Sequence, residues 1–155
     1  MRVIRPNENL EKQLDEYTVF LAGNMSKPWR KEVIKALENL PITIFDPTVE
    51  DWETKIGEES IDNEKWVAQT DWENNGLAYA DLKVFYFSEG SAAPASMLEL
   101  GCYKAKGSKQ TIVCAEDGYE KASYVKYIAR RFDLIEAKSL KELIELIKIQ
   151  YALNI

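Results

Sequence analysis

Two glutamates in this chain of 155 residues sit in surroundings that suit them to reaction chemistry. Glu99 lies in Ser96-Met97-Leu98-Glu99-Leu100-Gly101, after a run of small residues from 88 to 95. The Ser-x-x-Glu spacing is that of a helix start in which the glutamate bonds back to the serine backbone. A helix N-terminus also favours an anion, which keeps a carboxylate ionised and fit to act as a nucleophile. The two readings are compatible. Glu73 lies on a helix-length segment. At about 100° per residue, Trp66, Gln69, Thr70, Glu73, Leu77 and Ala80 share one face, and Asp71 points the other way. The apolar members turn that face inward, so Gln69 and Glu73 are polar groups on a buried side and need partners. Either they pair with backbone and loop atoms, or burial raises the Glu73 pKa and makes it a general acid. One ionised and one protonated carboxyl at a single crevice are the equipment of retaining glycosyl transfer. Rings that stack on a flat base suit such a site; Trp29, Trp52, Trp66 and Tyr86 are available, and each also serves as ordinary core or cover.

These residues converge only if the chain brings them to one edge. Apolar, β-rich runs at 17–21, 42–45, 82–87, 111–114 and, weakly, 132–135 predict five strands. Helices are predicted from Ser26 (N-cap, with Pro28 in the first turn) to Leu40, and over 63–80, 96–105, 119–130 and 139–152. Strict alternation predicts a parallel sheet with helices on both faces. The expected fold is a flavodoxin-like (Rossmann-like) five-stranded α/β sheet of order 2-1-3-4-5. Residues 1–16 form an N-terminal arm and 17–155 a single domain. In that order the chain reverses between strands 1 and 3, and ligands bind at the carboxyl ends of those strands. Gly23, Asn24 and Ser26 lie in one of the two segments there, and Ser96 closes the other. The connection from 48 to 62 is acidic. From Glu50 to Glu64 it holds seven acids against one base, Lys55. A loop this long is either a lid, with Trp52 on it, or a solvated excursion.

Composition removes other chemistries. The formal net charge is -6, which argues against a nucleic-acid polymer as partner. The absence of histidine excludes Ser-His-Asp and Cys-His catalysis and His-ligated zinc. The two cysteines, Cys102 and Cys114, suit neither a disulfide framework nor a metal site and read as small buried thiols. No metal or cofactor is expected. No apolar run is long enough for a membrane span, and the N-terminus lacks a secretory pattern. A cytoplasmic location follows as an expectation.

Phe20-Leu21-Ala22-Gly23, Gln69-x-x-Trp72-Glu73, Gly76-Leu77-x-x-Ala80-Asp81 and Leu98-Glu99-Leu100-Gly101 occur in this order. The set, spread from about Thr18 to Cys114, resembles the nucleoside 2-deoxyribosyltransferase-like family. The resemblance implies a flavodoxin-like fold and N-glycosidic chemistry. Glu99 would be the nucleophile that attacks C1′ and forms a covalent glycosyl-enzyme. Glu73, eight positions before Asp81, would manage the proton of the leaving base. It stands where the smaller transferases carry Asp. Well-known members also hold the sugar with an aspartate six residues before the nucleophile; here that position is Ala93. Gly23, Asn24, Ser26, Trp52, Trp66, Gln69 and Ser96 are the expected substrate contacts. The expected partners are a small nucleoside or nucleotide and a free base, within a homodimer or larger homo-oligomer. Two alternatives remain open. One is a nucleoside 5′-monophosphate N-glycosidase, for which Ser26, Lys27 and Arg30 offer a phosphate cradle unless the two bases are plain surface charge. The other is a nucleotide-binding or sensing module without turnover.

Overall fold

In the computed structural model, residues 1–10, 16–104 and 110–155 are described. The strands are β1 (Arg2–Ile4), β2 (Tyr17–Gly23), β3 (Ile42–Phe45), β4 (Leu82–Phe87), β5 (Thr111–Ala115) and β6 (Ile135–Ala137). The helices are α1 (Trp29–Ala36), α2 (Trp52–Lys55), α3 (Glu64–Tyr79), α4 (Pro94–Tyr103), α5 (Ala122–Arg131) and α6 (Leu140–Leu153). All strands are parallel, in the order β1-β3-β2-β4-β5-β6.

The fold is flavodoxin-like α/β, but the sheet has six strands rather than five. The extra strand comes from the expected arm. Arg2, Val3 and Ile4 pair with Thr43, Ile44 and Phe45, placing β1 at the edge beside β3. Three residues followed closely by Pro6 are too few to show an alternating pattern. Residues 11–15 of that arm, and Ala105 at the expected end of a helix, lie outside the described residues. The last strand is 135–137, not 132–135: Phe132 caps α5, and Asp133 turns the chain with a left-handed φ of 54°. Within the acidic connection, Trp52–Lys55 forms a short helix.

Alternating residues divide the core into two layers. Phe20, Ala22, Phe85, Phe87 and Val113 pack with Trp72, Leu100 and Val125 of α3, α4 and α5. Val19, Leu21, Val84 and Ile112 pack with Trp29, Val33, Leu143 and Ile147 of α1 and α6. Gly76 lets α3 close on β2; a Cβ there would lie 2.7 Å from the Phe20 ring. Cys114 is buried in β5, whereas Cys102 is exposed on α4, contrary to expectation. Among the described residues, no helix is long and apolar enough to cross a membrane.

Candidate active site

β2 ends in a close approach to β4. Gly23 has φ 142°, and a Cβ on it would lie 2.1 Å from the Tyr86 carbonyl oxygen. Only glycine fits both constraints. The turn that follows is fixed by Asn24, which is 2% exposed. Its Nδ2 donates to the Ser88 carbonyl at 2.7 Å and lies 3.1 Å from Ser26 Oγ. Asn24 is thus spent on tying the first loop to the end of β4. Replacing Gly23 by Ala is expected to cost about 1–3 kcal/mol from backbone strain alone, with the Tyr86 overlap in addition. Urea denaturation should show the lower midpoint, and an unchanged midpoint would contradict this packing.

Arg30, in the first turn of α1, occupies the end of β2. It is 5% exposed. Its Nε donates to Leu21 O at 2.9 Å, Nη2 to Gly23 O at 2.9 Å, and Nη1 to Asn24 O at 3.3 Å. A planar guanidinium serves these three carbonyls at once. Asp46, at the end of β3, lies 3.9 Å from Arg30 Nε and 3.3 Å from Arg5 Nη2. Burial draws the Arg30 pKa down to about 10, against the charges of Asp46, Glu73 and Glu99. Arg30 is therefore not plain surface charge. It is a buried cation within electrostatic reach of both glutamates.

Glu73 and Glu99 come from α3 and α4, which pack side by side. Tyr103, one turn after Glu99, donates its hydroxyl to Asn74, the neighbour of Glu73, with O and Oδ1 at 3.1 and 3.0 Å. Both glutamates are partly buried. Gln69 Nε2 donates to Glu73 Oε1 at 2.6 Å and to Pro47 O at 3.3 Å. Burial raises the Glu73 pKa, and the Gln69 bond and the Arg30 charge oppose the rise. Burial also pushes Glu99 up, to about 8, aided by the charge of Glu73 and opposed by Arg30.

The last result reverses an expectation. Ser96 and Glu99 do not form a capping box, because α4 starts earlier. Pro94 opens the helix, as its missing N–H and fixed φ favour, and Ala93 is the N-cap, with φ 46° and no side-chain cap bond. Glu99 is consequently in the second turn, beyond the reach of the terminal charge. The terminus therefore does not hold it ionised, and burial raises its pKa instead. Ala93 also adopts a left-handed backbone that alanine disfavours and that Asp and Asn tolerate better.

A cavity of about 1070 Å³ opens against Arg30 and Gln69. Ser26, Arg30, Asp46 and Gln69 are on its wall, while Lys27, Lys31, Lys55 and Lys65 add positive charge. Neither Glu73 nor Glu99 is on the wall; Glu73 is joined to it through its bond to Gln69. Of the expected contacts, Ser26 and Gln69 are on this wall. Trp52 and Trp66 are not on it, nor is Ser96, which is buried on α4. Trp52 is 37% exposed and bonds through Nε1 to Gly57 O. Trp72, not Trp66, is the buried tryptophan of α3, with Nε1 donating to Glu8 O.

Sequence reasoning passed over Asp46, and it read Arg30 as part of a phosphate cradle or as plain surface charge. A charge near a helix start reads as solvated, and only the strand-end carbonyls reveal otherwise. Asp46-Pro47 at a strand end was the available signal. Comparison with curated proteins gives no match. A family model described as nucleoside 2-deoxyribosyltransferase like matches residues 16–119, which span β2 to the loop after β5 and hold both glutamates, Gln69 and Arg30. On this match and the parallel sheet that carries it, the chain belongs to the nucleoside 2-deoxyribosyltransferase-like family.

Proposed function

We propose that the protein cleaves the N-glycosidic bond of a nucleoside or nucleotide, with Glu99 as nucleophile and Glu73 as proton donor to the leaving base. The observation that carries this reading is that two partly buried carboxyls, from adjacent helices, act electrostatically on each other and on one buried guanidinium. Two carboxyls that feel each other's charge do not ionise together easily, so one proton stays on the pair over a range of pH. The form with one proton is the reactive one. In it the Glu99 carboxylate bonds to C1′ as the C1′–N bond breaks. The bonding pair leaves with the base, and Glu73 supplies the proton that neutralises it. Water or a second base then attacks C1′, returns a proton to Glu73 and frees Glu99. Gln69 orients the Glu73 carboxyl through its 2.6 Å bond, and Arg30 limits the cost of the remaining charge.

The test is incubation with a panel of nucleosides and nucleotides, followed by chromatography for free base and by intact mass for a glycosylated protein. The rate should depend on pH as a bell. Burial and the Glu73 charge push Glu99 up to about 8, so the coupled pair keeps its last proton to about that pH, and kcat/KM should fall above it as the proton donor is lost. It should fall again on the acid side, as the second proton is added to a pair whose Glu73 member is itself raised. A rate independent of pH across both carboxyl titrations would contradict the dyad, and binding without base release from any member of the panel would favour a sensing module.

A further inference from the structure

The charge of the large cavity opposes that of the protein. The chain carries a net -6, yet six cationic side chains border the cavity against two acidic ones, Asp46 and Glu50. Of the seven acids between Glu50 and Glu64, only Glu50 is on the wall, whereas Lys55, the one base of that stretch, is. Lys31 of α1, Lys55 of α2 and Lys65 of α3 thus reach the same space from three separate elements. Arg5, Lys27 and Arg30 are already engaged with carboxylates. Lys31, Lys55 and Lys65 have no hydrogen bond or ion pair through their side chains among the described residues.

A second observation points to a ligand independently of charge. Gln69 is 3% exposed and lies on the cavity wall, and its Oε1 is buried without a hydrogen-bond donor. Its amide orientation is fixed, because Nε2 serves both Glu73 Oε1 and Pro47 O. A buried acceptor left bare is costly, and a ligand N–H or O–H would satisfy it. The volume, about 1070 Å³, is at the top of the roughly 300–1,000 Å³ typical of small-molecule sites. A bare nucleoside would leave much of it to water.

We infer that this cavity binds a nucleotide carrying two or more phosphates, a nucleoside di- or triphosphate, with Lys31, Lys55 and Lys65 on the phosphate chain and Gln69 Oε1 on a donor of the nucleoside. The placement of the nucleoside end beside Glu73 rests on the glycosidic reading; the demand for a polyanion does not. Ammonium groups act as point charges on phosphate oxygens, and three from separate elements suit a chain of charges better than a single group.

The test is calorimetric titration of the full-length Glu99→Gln protein, in which turnover is blocked. The probes are deoxyadenosine, deoxycytidine, their 5′-mono-, di- and triphosphates, and inorganic tripolyphosphate. In at least one base series, Kd should tighten by about tenfold or more between mono- and triphosphate, and the gain should shrink as salt rises. Changing Lys31, Lys55 and Lys65 together to Gln should return the triphosphate to the affinity of the monophosphate. These side chains are exposed, so the variant keeps its fold. Gln69→Leu should weaken the nucleotides and leave tripolyphosphate unchanged. Equal affinity for mono- and triphosphates in both series, or a triple variant that binds like its parent, would overturn the inference. So would tripolyphosphate binding as tightly as the nucleoside triphosphates. Base release by the unmodified protein is read separately. A phosphate ladder without release would sink the glycosidic reading alone, and release without a ladder would sink only this inference.

Discussion

Glu99→Gln should lower base release by about 10³–10⁴-fold, roughly 4–5 kcal/mol of lost transition-state stabilisation. The amide has nearly the shape of the carboxyl but cannot form the glycosyl ester. Glu73→Gln should cost less, about 10²–10³-fold, the range of general acid catalysis, and the deficit should narrow for bases that leave without protonation. Stability gives a second readout. A carboxyl whose folded-state pKa lies above its unfolded value binds its proton more tightly when folded. It therefore contributes most stability below the ordinary carboxyl range, and that contribution is lost as pH rises towards the folded-state pKa. For Glu99 this window runs from the usual glutamate value up to about 8. The Glu99→Gln protein should thus melt higher than its parent near pH 8, by at least about 2 °C, the shift that roughly 1 kcal/mol gives in a chain of this size. The advantage should vanish in acid. A variant that is inactive and also less stable at pH 8 would mean that Glu99 is structural, and the nucleophile assignment would fail.

The sheet was legible because its signals are local. Phe20, Val84 and Val113 sit in apolar runs bounded by turn residues, and helices alternate with them, so parallel pairing followed from pattern alone. Glu73 was legible for a similar reason, since helical spacing set it on the face of Gln69 and Leu77. Other features depend on tertiary neighbours. β1 gains its hydrogen bonds only from β3, and three residues carry no periodicity. The start of α4 depends on whether Pro94 or Ser96 opens the helix, and the Ser-x-x-Glu spacing pointed to the wrong one. That shift of a few residues carries Glu99 from the helix terminus into the second turn, where burial and the Glu73 charge raise its pKa. The acidic count between 50 and 64 was correct as arithmetic but silent on direction, because side chains of opposite sign on a short helix face opposite ways. Arg30 is the sharpest case. Nothing in Pro28-Trp29-Arg30 distinguishes a solvated arginine from one that caps a β-strand.

Arg30 is therefore the residue whose replacement separates structure from chemistry. Arg30→Met should destabilise the fold by about 3–5 kcal/mol, the range for removing one partner of a buried ion pair. Asp46 would keep only Arg5, and the carbonyls of Leu21 and Gly23 would lose their donor. Arg30→Lys should recover part of this loss, because an ammonium restores the charge but cannot reproduce the planar fork. The kinetic consequence differs from the structural one. Arg30 supplies the charge that lowers the Glu99 pKa, against burial and Glu73. In the methionine variant, assayed below its melting temperature, Glu99 should hold its proton to higher pH. The alkaline limb of kcat/KM should then move above 8, while the lysine variant keeps it close to the parent value. A purely structural Arg30 would lower stability and rate and leave the position of that limb unchanged. If the limb does not move in either variant, the guanidinium does not act on the carboxyl pair, and the electrostatic coupling of α1 to α3 and α4 is refuted.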